Sequence, residues 1–337
     1  SQLRHMITVM LVGLAMGVTV GIGRAVGAHD ERGAGAVIGN AVTLFLAVSV
    51  VLAAVLTALV QPILSIMSTP AEAVPGAAAY LTICFIGIPC ITAYNIIASI
   101  FRGLGDSRSP MYFIAVACAA NIALDYLFMG ALHMGPAGAA LGTTLAQGIS
   151  VAVSLAVILR RKSGVRLRKS DLLPKKPVTG RILRIGVPVA LQDGLIQISF
   201  LLITVIANRR GLTDAAAVGI VEKIISFIFL VPSSMLSTVS ALGAQNVGAG
   251  KHDRAAGTLY YAIGISLTFG AIVGVLVQFI APNAVALFTT DTAVAVAGGW
   301  YLRGYIWDCF FAGIHFSFSG YFCAYGRSEL SFLHNIL

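Results

Sequence analysis

The chain has 337 residues, 58% of them hydrophobic and 10% charged, with a formal net charge of +9 and a mean hydropathy of +0.92. That composition excludes a soluble globular domain. Its apolar runs are continuous rather than alternating and about 20 residues long, the length that crosses roughly 30 Å of hydrocarbon as a helix, so a β-barrel is excluded as well.

The expected fold class is therefore an all-α polytopic membrane protein. In chain order the predicted spans are 3–26, 35–60, 77–101, 110–132, 137–159, 185–207, 215–243, 255–281 and 294–325, with a tenth starting near 331. Pro89 and Pro232 fall inside spans, where prolines are tolerated and often mark kinks. Ser1–His5 leads straight into an apolar run, and "SELSFLHNIL" stops about one turn into a new one, so the chain is expected to continue at both ends. Cys84, Cys90, Cys118, Cys309 and Cys323 all lie in apolar segments without a CxxC pair, which reads as small buried hydrophobes.

Positive charge follows the loops. The stretch 160–184 holds ten of the 22 Lys and Arg residues, and alternating sides from it gathers Arg24, Arg32, Arg102, Arg108, Lys251, Arg254 and Arg327 onto one face. The opposite loops, 61–76 and 282–293, carry none, with Arg209 and Arg210 as exceptions. Such asymmetry places 160–184 in the cytoplasm and the protein in the inner (plasma) membrane as a multi-pass chain, and it accounts for the basic charge through anionic lipid rather than nucleic acid.

A shift of 221 residues superposes several landmarks. "VGA" at 26–28 falls on 247–249, Thr69 on Thr290, "YL" at 80–81 on 301–302, and "FRGLGDS" at 101–107 on "FCAYGRS" at 322–328. An even number of crossings separates the copies, so two parallel lobes of six helices each are expected, a transporter architecture. The expected division is an N-terminal lobe 1–159, a basic linker 160–184 and a C-terminal lobe 185–337, with nine to ten of twelve helices represented.

Asn121 and Asp125 stand four residues apart on one helix face inside an apolar run. An ionised Asp there costs about 2.5–3.5 kcal/mol on insertion scales, so it faces protein or water and often marks an ion pathway. Counting from the "HMGP" turn at 133–136 puts Thr143 of the following helix at nearly the same depth, with Thr144 as the fallback. Carboxylate, amide carbonyl and hydroxyl are hard oxygen ligands that suit Na⁺, or a carboxyl that carries a proton. Capping or bonding a neighbouring helix is the plain alternative for Asp125. Asp308 and His315, seven residues apart on one face, are a second possible proton or substrate site, and Asp193 a third; an interhelical hydrogen bond is the plain alternative for Asp308. Tyr94, Asn95, Gln147 and Gln197 are uncharged polar groups at mid-membrane depth that either line a cleft or hold helices together. His29–Asp30 and His252–Asp253 read as solvated turn residues rather than metal pairs, and Glu222 with Lys223 as interfacial.

"FRGLGDSRSP", "NIALD", "GPAGAALGTT" and, in the second lobe, "RIGVPVALQ" together resemble the multidrug and toxic compound extrusion (MATE) family, of the N-lobe cation-site (DinF/NorM-like) type. The resemblance covers essentially the whole chain and implies that a first helix and most of the last two are lacking. It implies that Asn121, Asp125 and Thr143 bind the coupling cation, Na⁺ or H⁺, with an Asp from the lacking first helix completing the site. NorM-type members carry a Glu in the seventh helix and an Asp in the tenth; here the first position falls on Ile196 or Gln197, and Asp308 lies about a turn from the second. The implied activity is secondary active export of amphipathic organic cations by antiport, with small-molecule substrates and membrane lipids as partners, a monomer, no nucleic acid and no cofactor. A flippase for lipid-linked or polysaccharide precursors is the alternative with the same architecture. No HExxH, no GxSxG and no carboxylate pair within one helix points to an enzyme.

Overall fold

The structure, a computed structural model, describes residues 2–66, 74–160 and 168–336. The repeat marker Thr69 and residues 161–167 of the basic stretch lie outside the described residues.

Helices follow one another through the chain. They are α1 (Gln2–Gly27), α2 (Glu31–Ala58), α3 (Val60–Ile66), α4 (Val74–Ile86), α5 (Ile88–Gly103), α6 (Arg108–Asp125), α7 (Gly135–Arg160), α8 (Lys176–Arg210), α9 (Leu212–Ile228), α10 (Leu230–Gly248), α11 (His252–Ala286), α12 (Thr292–Tyr305), α13 (Asp308–Ala324) and α14 (Ser328–Ile336). Among the described residues no strand occurs. Among the described residues seven helical stretches are long and apolar enough to cross a membrane, or eight if the pair α4–α5 is one span bent by 41° at Gly87. Two expected spans are broken, 77–101 at Gly87, next to Pro89, and 294–325 at Ile306–Trp307, whereas 215–243 lies within one candidate span, Leu212–Gly248. At both breaks the ladder switches to i→i+3 bonds, Cys90 N–H to Gly87 O at 3.0 Å and Cys309 N–H to Ile306 O at 3.1 Å, which turns the axis.

The chain divides into two compact units, 1–183 and 184–337. Each carries the same local features 221 positions apart. Thr19 Oγ1 donates to Ser99 O at 3.2 Å, and Ser240 Oγ donates to Gly320 O at 3.3 Å. His29 and Gly250 both adopt left-handed φ, 55° and 71°, as do Gly105 and Gly326, 88° and 70°. The bonds that close these helix ends repeat too: Asp30 N–H to Ala25 O and Lys251 N–H to Asn246 O are each 2.8 Å. Where α1 crosses α5, Gly103 makes room for Ile22; at the equivalent crossing of α10 and α13 the sizes reverse, Ala324 meeting Gly243. Small residues at such crossings let backbones approach without a strong hydrophobic drive between helices.

In the first unit, Val18, Ile22, Val37, Ile38, Phe45, Ile96 and Ile100 form a buried cluster that includes Val178 and Ile182 of α8. Outward faces stay apolar, as with Leu46, Val50 and Val51 on α2 and Ile272, Val275 and Phe279 on α11, which suits lipid as solvent. Part of the basic stretch is docked rather than free. Fully buried Asn40 on α2 donates to Asp171 O at 3.2 Å and accepts from Lys175 N–H at 2.6 Å and from Thr179 Oγ1 at 3.3 Å, while Thr43 Oγ1 donates to Leu172 O at 2.6 Å. Gly39 lets the chain at Asp171 lie directly on α2, since a Cβ there would collide with the Asp171 carbonyl. Sequence 168–183 therefore packs with the N-terminal unit, and α8 already begins at Lys176 within the expected linker.

Candidate cation site in the N-terminal unit

The expected span 110–132 is not a uniform α-helix. It is α-helical to Asp125 and then winds as a π-helix over Tyr126–Ala131. Such widened turns are rare and frequently occur at functional sites. Asp125 thus stands at the junction, where the ladder between backbone groups changes register.

Asp125 Oδ1 is buried with no hydrogen-bond partner, and so is Asn121 Nδ2 one turn earlier. Burying such groups unpaired costs about 1–3 kcal/mol each, more for a charge, so the arrangement calls for a ligand. Two more orphaned atoms belong to the helices that pack on α6. They are Gln147 Oε1 on α7 and Thr92 Oγ1 on α5. A half-turn of the Asn121 amide would place its oxygen where the nitrogen stands, the orientation a cation would select.

Gly142 positions the carboxylate. Any Cβ at this residue would collide with Asp125 Oδ1, so the glycine lets the oxygen rest directly on α7. Thr143 follows Gly142 and is half-buried, its hydroxyl donating to Ala139 O at 3.0 Å within its own helix and keeping a lone pair free to accept. Thr144 points elsewhere, packing against Gly87 at the break between α4 and α5. Thr143 is thus the threonine that follows Gly142, and Thr144 the one committed to the α4–α5 break.

The other candidates scatter. Asp308 and His315 share α13, two turns apart, and have different bonding partners. Asp308 is exposed and bonded to the Tyr305 hydroxyl, whereas His315 Nδ1 lies 3.0 Å from His334 Nδ1 and its Nε2 lies 3.4 Å from Gln192 Nε2. Asp193 lies beside fully buried Gln192 on α8 and interacts with the Cys323 thiol. Asn95 Nδ2 donates to Ile91 O at 2.8 Å in its own helix, Tyr94 packs against the buried cluster of Ile97, Phe101 and Phe113, and Gln197 is half-buried on α8.

Asp30 caps α2, accepting from Gly33 N–H at 2.8 Å, and His252 bonds the Tyr325 hydroxyl at 2.9 Å, so neither His–Asp pair is a metal pair. Glu222 is a residue the sequence reading undervalued. Half-buried, it accepts from Thr204 Oγ1 at 3.2 Å and lies near Tyr301. A signal for it existed, because the adjacent Lys223 points to another helix face and cannot pair with it.

A chain of membrane-crossing helices, duplicated with a 221-residue register and carrying orphaned polar groups at a helix discontinuity, is a polytopic membrane protein of duplicated architecture. It belongs to the MatE family, whose model matches residues 1–127 and 188–337. The chain is 28% identical over 287 residues to "Probable multidrug resistance protein YoeA" of Bacillus subtilis, covering 83% of this chain and 62% of that one. It is 29% identical over 294 residues to "Probable multidrug resistance protein YpnP" of the same organism, covering 87% and 66%. A third relative, "Probable multidrug resistance protein NorM" of Thermotoga maritima, is 26% identical over 299 residues, covering 87% and 64%. The chain thus spans somewhat less than two-thirds of the length of these curated relatives. Among solved structures, a point mutant of the Vibrio cholerae MATE transporter VcmN is similar in fold, with a TM-score of 0.93 at 20% identity, covering 99% of this chain and 76% of that one. An outward-facing multidrug resistance MATE family transporter of the MOP superfamily gives 0.90 at 23%, covering 99% and 75%.

Proposed function

We propose that the protein exports amphipathic organic cations by antiport with Na⁺ or H⁺, through alternating access of its two lobes, in the inner membrane with the 160–184 stretch cytoplasmic. The observation that carries this reading is the buried, unpartnered Asp125 carboxylate at the α6–π junction, one turn from an equally unpartnered Asn121. Family membership and the multidrug-resistance names of the relatives support the cargo class.

In the mechanism, Asp125 and Asn121 supply a carboxylate and an amide oxygen to the cation, with the Thr143 hydroxyl as the neighbouring ligand from α7. Gly142 sets the approach of the two helices. Binding neutralises a charge beside the π-turn, so the α6–α7 pair has different preferred arrangements with and without the cation. Coupling needs only that cation and drug bind those states with different affinities. A coupling of about 1–3 kcal/mol, or roughly 5–150-fold in affinity, is typical.

The deciding experiment is ethidium efflux from vesicles containing the full-length protein, driven separately by Na⁺ and pH gradients. One gradient is expected to drive efflux in wild type and to fail with Asp125→Asn. Unchanged gradient-driven efflux in that variant would remove Asp125 from the mechanism, and efflux driven by neither gradient in wild type would overturn antiport.

A further inference from the structure

The C-terminal unit holds a polar chain that the cation site does not use. His315 on α13 and His334 on α14 oppose their Nδ1 atoms at 3.0 Å, with ring planes 8° apart and centroids 4.8 Å apart. Near-parallel rings at that N···N distance hold one N–H···N bond, since two protons would clash and two lone pairs would repel. The far side of His315 is defined as well. Gln192, fully buried on α8, has its Oε1 occupied by the Ser331 hydroxyl at 2.9 Å, which turns its amide nitrogen toward His315 Nε2 at 3.4 Å. The amide donates, so His315 Nε2 is the acceptor, His315 Nδ1 carries the hydrogen, and His334 Nδ1 accepts it. The network assigns both tautomers.

We infer that His315, His334 and Gln192 form a proton site in the C-terminal unit, which takes up one proton and shares its charge over the two imidazoles. The added proton comes from water and enters at His315 Nε2, the remaining ring lone pair that is not already bonded to the other histidine. The Gln192 amide then turns, so that Oε1 accepts from the new N–H and the NH₂ group donates to Ser331. Ser331 tolerates the reversal because a hydroxyl both donates and accepts, and the Cys323 thiol stands on its other side. No group is orphaned in either state. A second proton would break the N–H···N bond and set two cations 4.8 Å apart, centroid to centroid.

The ionisable groups around the pair are few. On α14 the other ionisable group is Glu329, drawn off by Arg184 of α8 at 3.5 Å. Asp193 on α8, beside Gln192 and near Cys323, is the competing proton acceptor, and His334 is the ionisable neighbour of His315. Packed against α13, α10 carries no ionisable residue, and α11 beyond Arg254 offers Tyr260 and Tyr261, both exposed. Phe318 and Phe322 flank the His334 ring at 6.4 and 6.3 Å.

The test is NMR of full-length protein with ¹⁵N-labelled histidine in lipid nanodiscs, from about pH 8 down to about pH 3, a range that covers ordinary and desolvated imidazoles. A ¹⁵N–¹⁵N coupling through the hydrogen bond is expected between the two Nδ1 atoms, together with uptake of one proton by the pair across the range. His334→Gln and His315→Gln should each abolish the coupling, and Gln192→Leu should keep it while shifting the uptake. Absence of coupling in wild type, or independent uptake of one proton by each histidine, would overturn the site, and both readings come from wild type alone. Failure of the Asp125 reading would leave these histidine signals unchanged, so the two ideas fall separately.

Discussion

Gly142 is the residue on which the candidate cation site turns. It contributes no ligand, yet its missing side chain lets Asp125 Oδ1 rest on α7 beside Thr143. Gly142→Ala is expected to push the carboxylate off its position while leaving the helices paired, because the colliding atom ends a rotatable side chain. Cation-induced thermal stabilisation of the full-length protein should then fall by about tenfold in apparent affinity, close to 1.4 kcal/mol; an unaltered cation response would detach Gly142 from the site. Thr143→Val should weaken the same response, while Thr144→Val should not, since Thr144 packs on Gly87. Asn121 and Asp125 were legible in the sequence, because an amide and a carboxylate in an apolar run are conspicuous. Gly142 was not, because a glycine's role is decided by what approaches it.

At the scale of elements, the helix discontinuities separate what periodicity reveals from what it hides. A 20-residue apolar run announces a crossing, but α-helix and π-turn share the same composition, so the widening at Tyr126–Ala131 left no mark in the pattern. Pro89 marks the break at Gly87 in the sequence, whereas nothing marks the one before Asp308. The docked segment before α8 makes its own prediction. Asn40→Ala removes the amide that receives Lys175 N–H and Thr179 and donates to Asp171 O, leaving buried groups unpaired. A loss of roughly 2–3 kcal/mol follows, with proteolytic cleavage near 168–175 appearing first; unchanged protease resistance would show that the segment is held by other contacts. Thr19→Val and Ser240→Ala delete equivalent bonds in the two units, and each is expected to cost about 0.6 kcal/mol, the average for interhelical hydrogen bonds in membranes. Thermal unfolding of the two variants should shift alike, and a large difference would mean the copies no longer share the energetics of this crossing.

For the whole molecule, the sequence by itself determined the class, the crossings and the duplication. Apolar length is a one-dimensional property set by bilayer thickness, and a 221-residue register survives in a few turn and crossing positions because left-handed caps and close helix approaches tolerate few residue types. Tertiary structure decided which polar groups meet. It set Asp125 against Gly142, turned Thr144 away, gave Glu222 the partner Thr204, and gave His315 the partner His334. Those choices depend on helix rotation and on local breaks in the hydrogen-bond ladder. A shift of one residue rotates a side chain by about 100°, and nothing in composition or spacing records it.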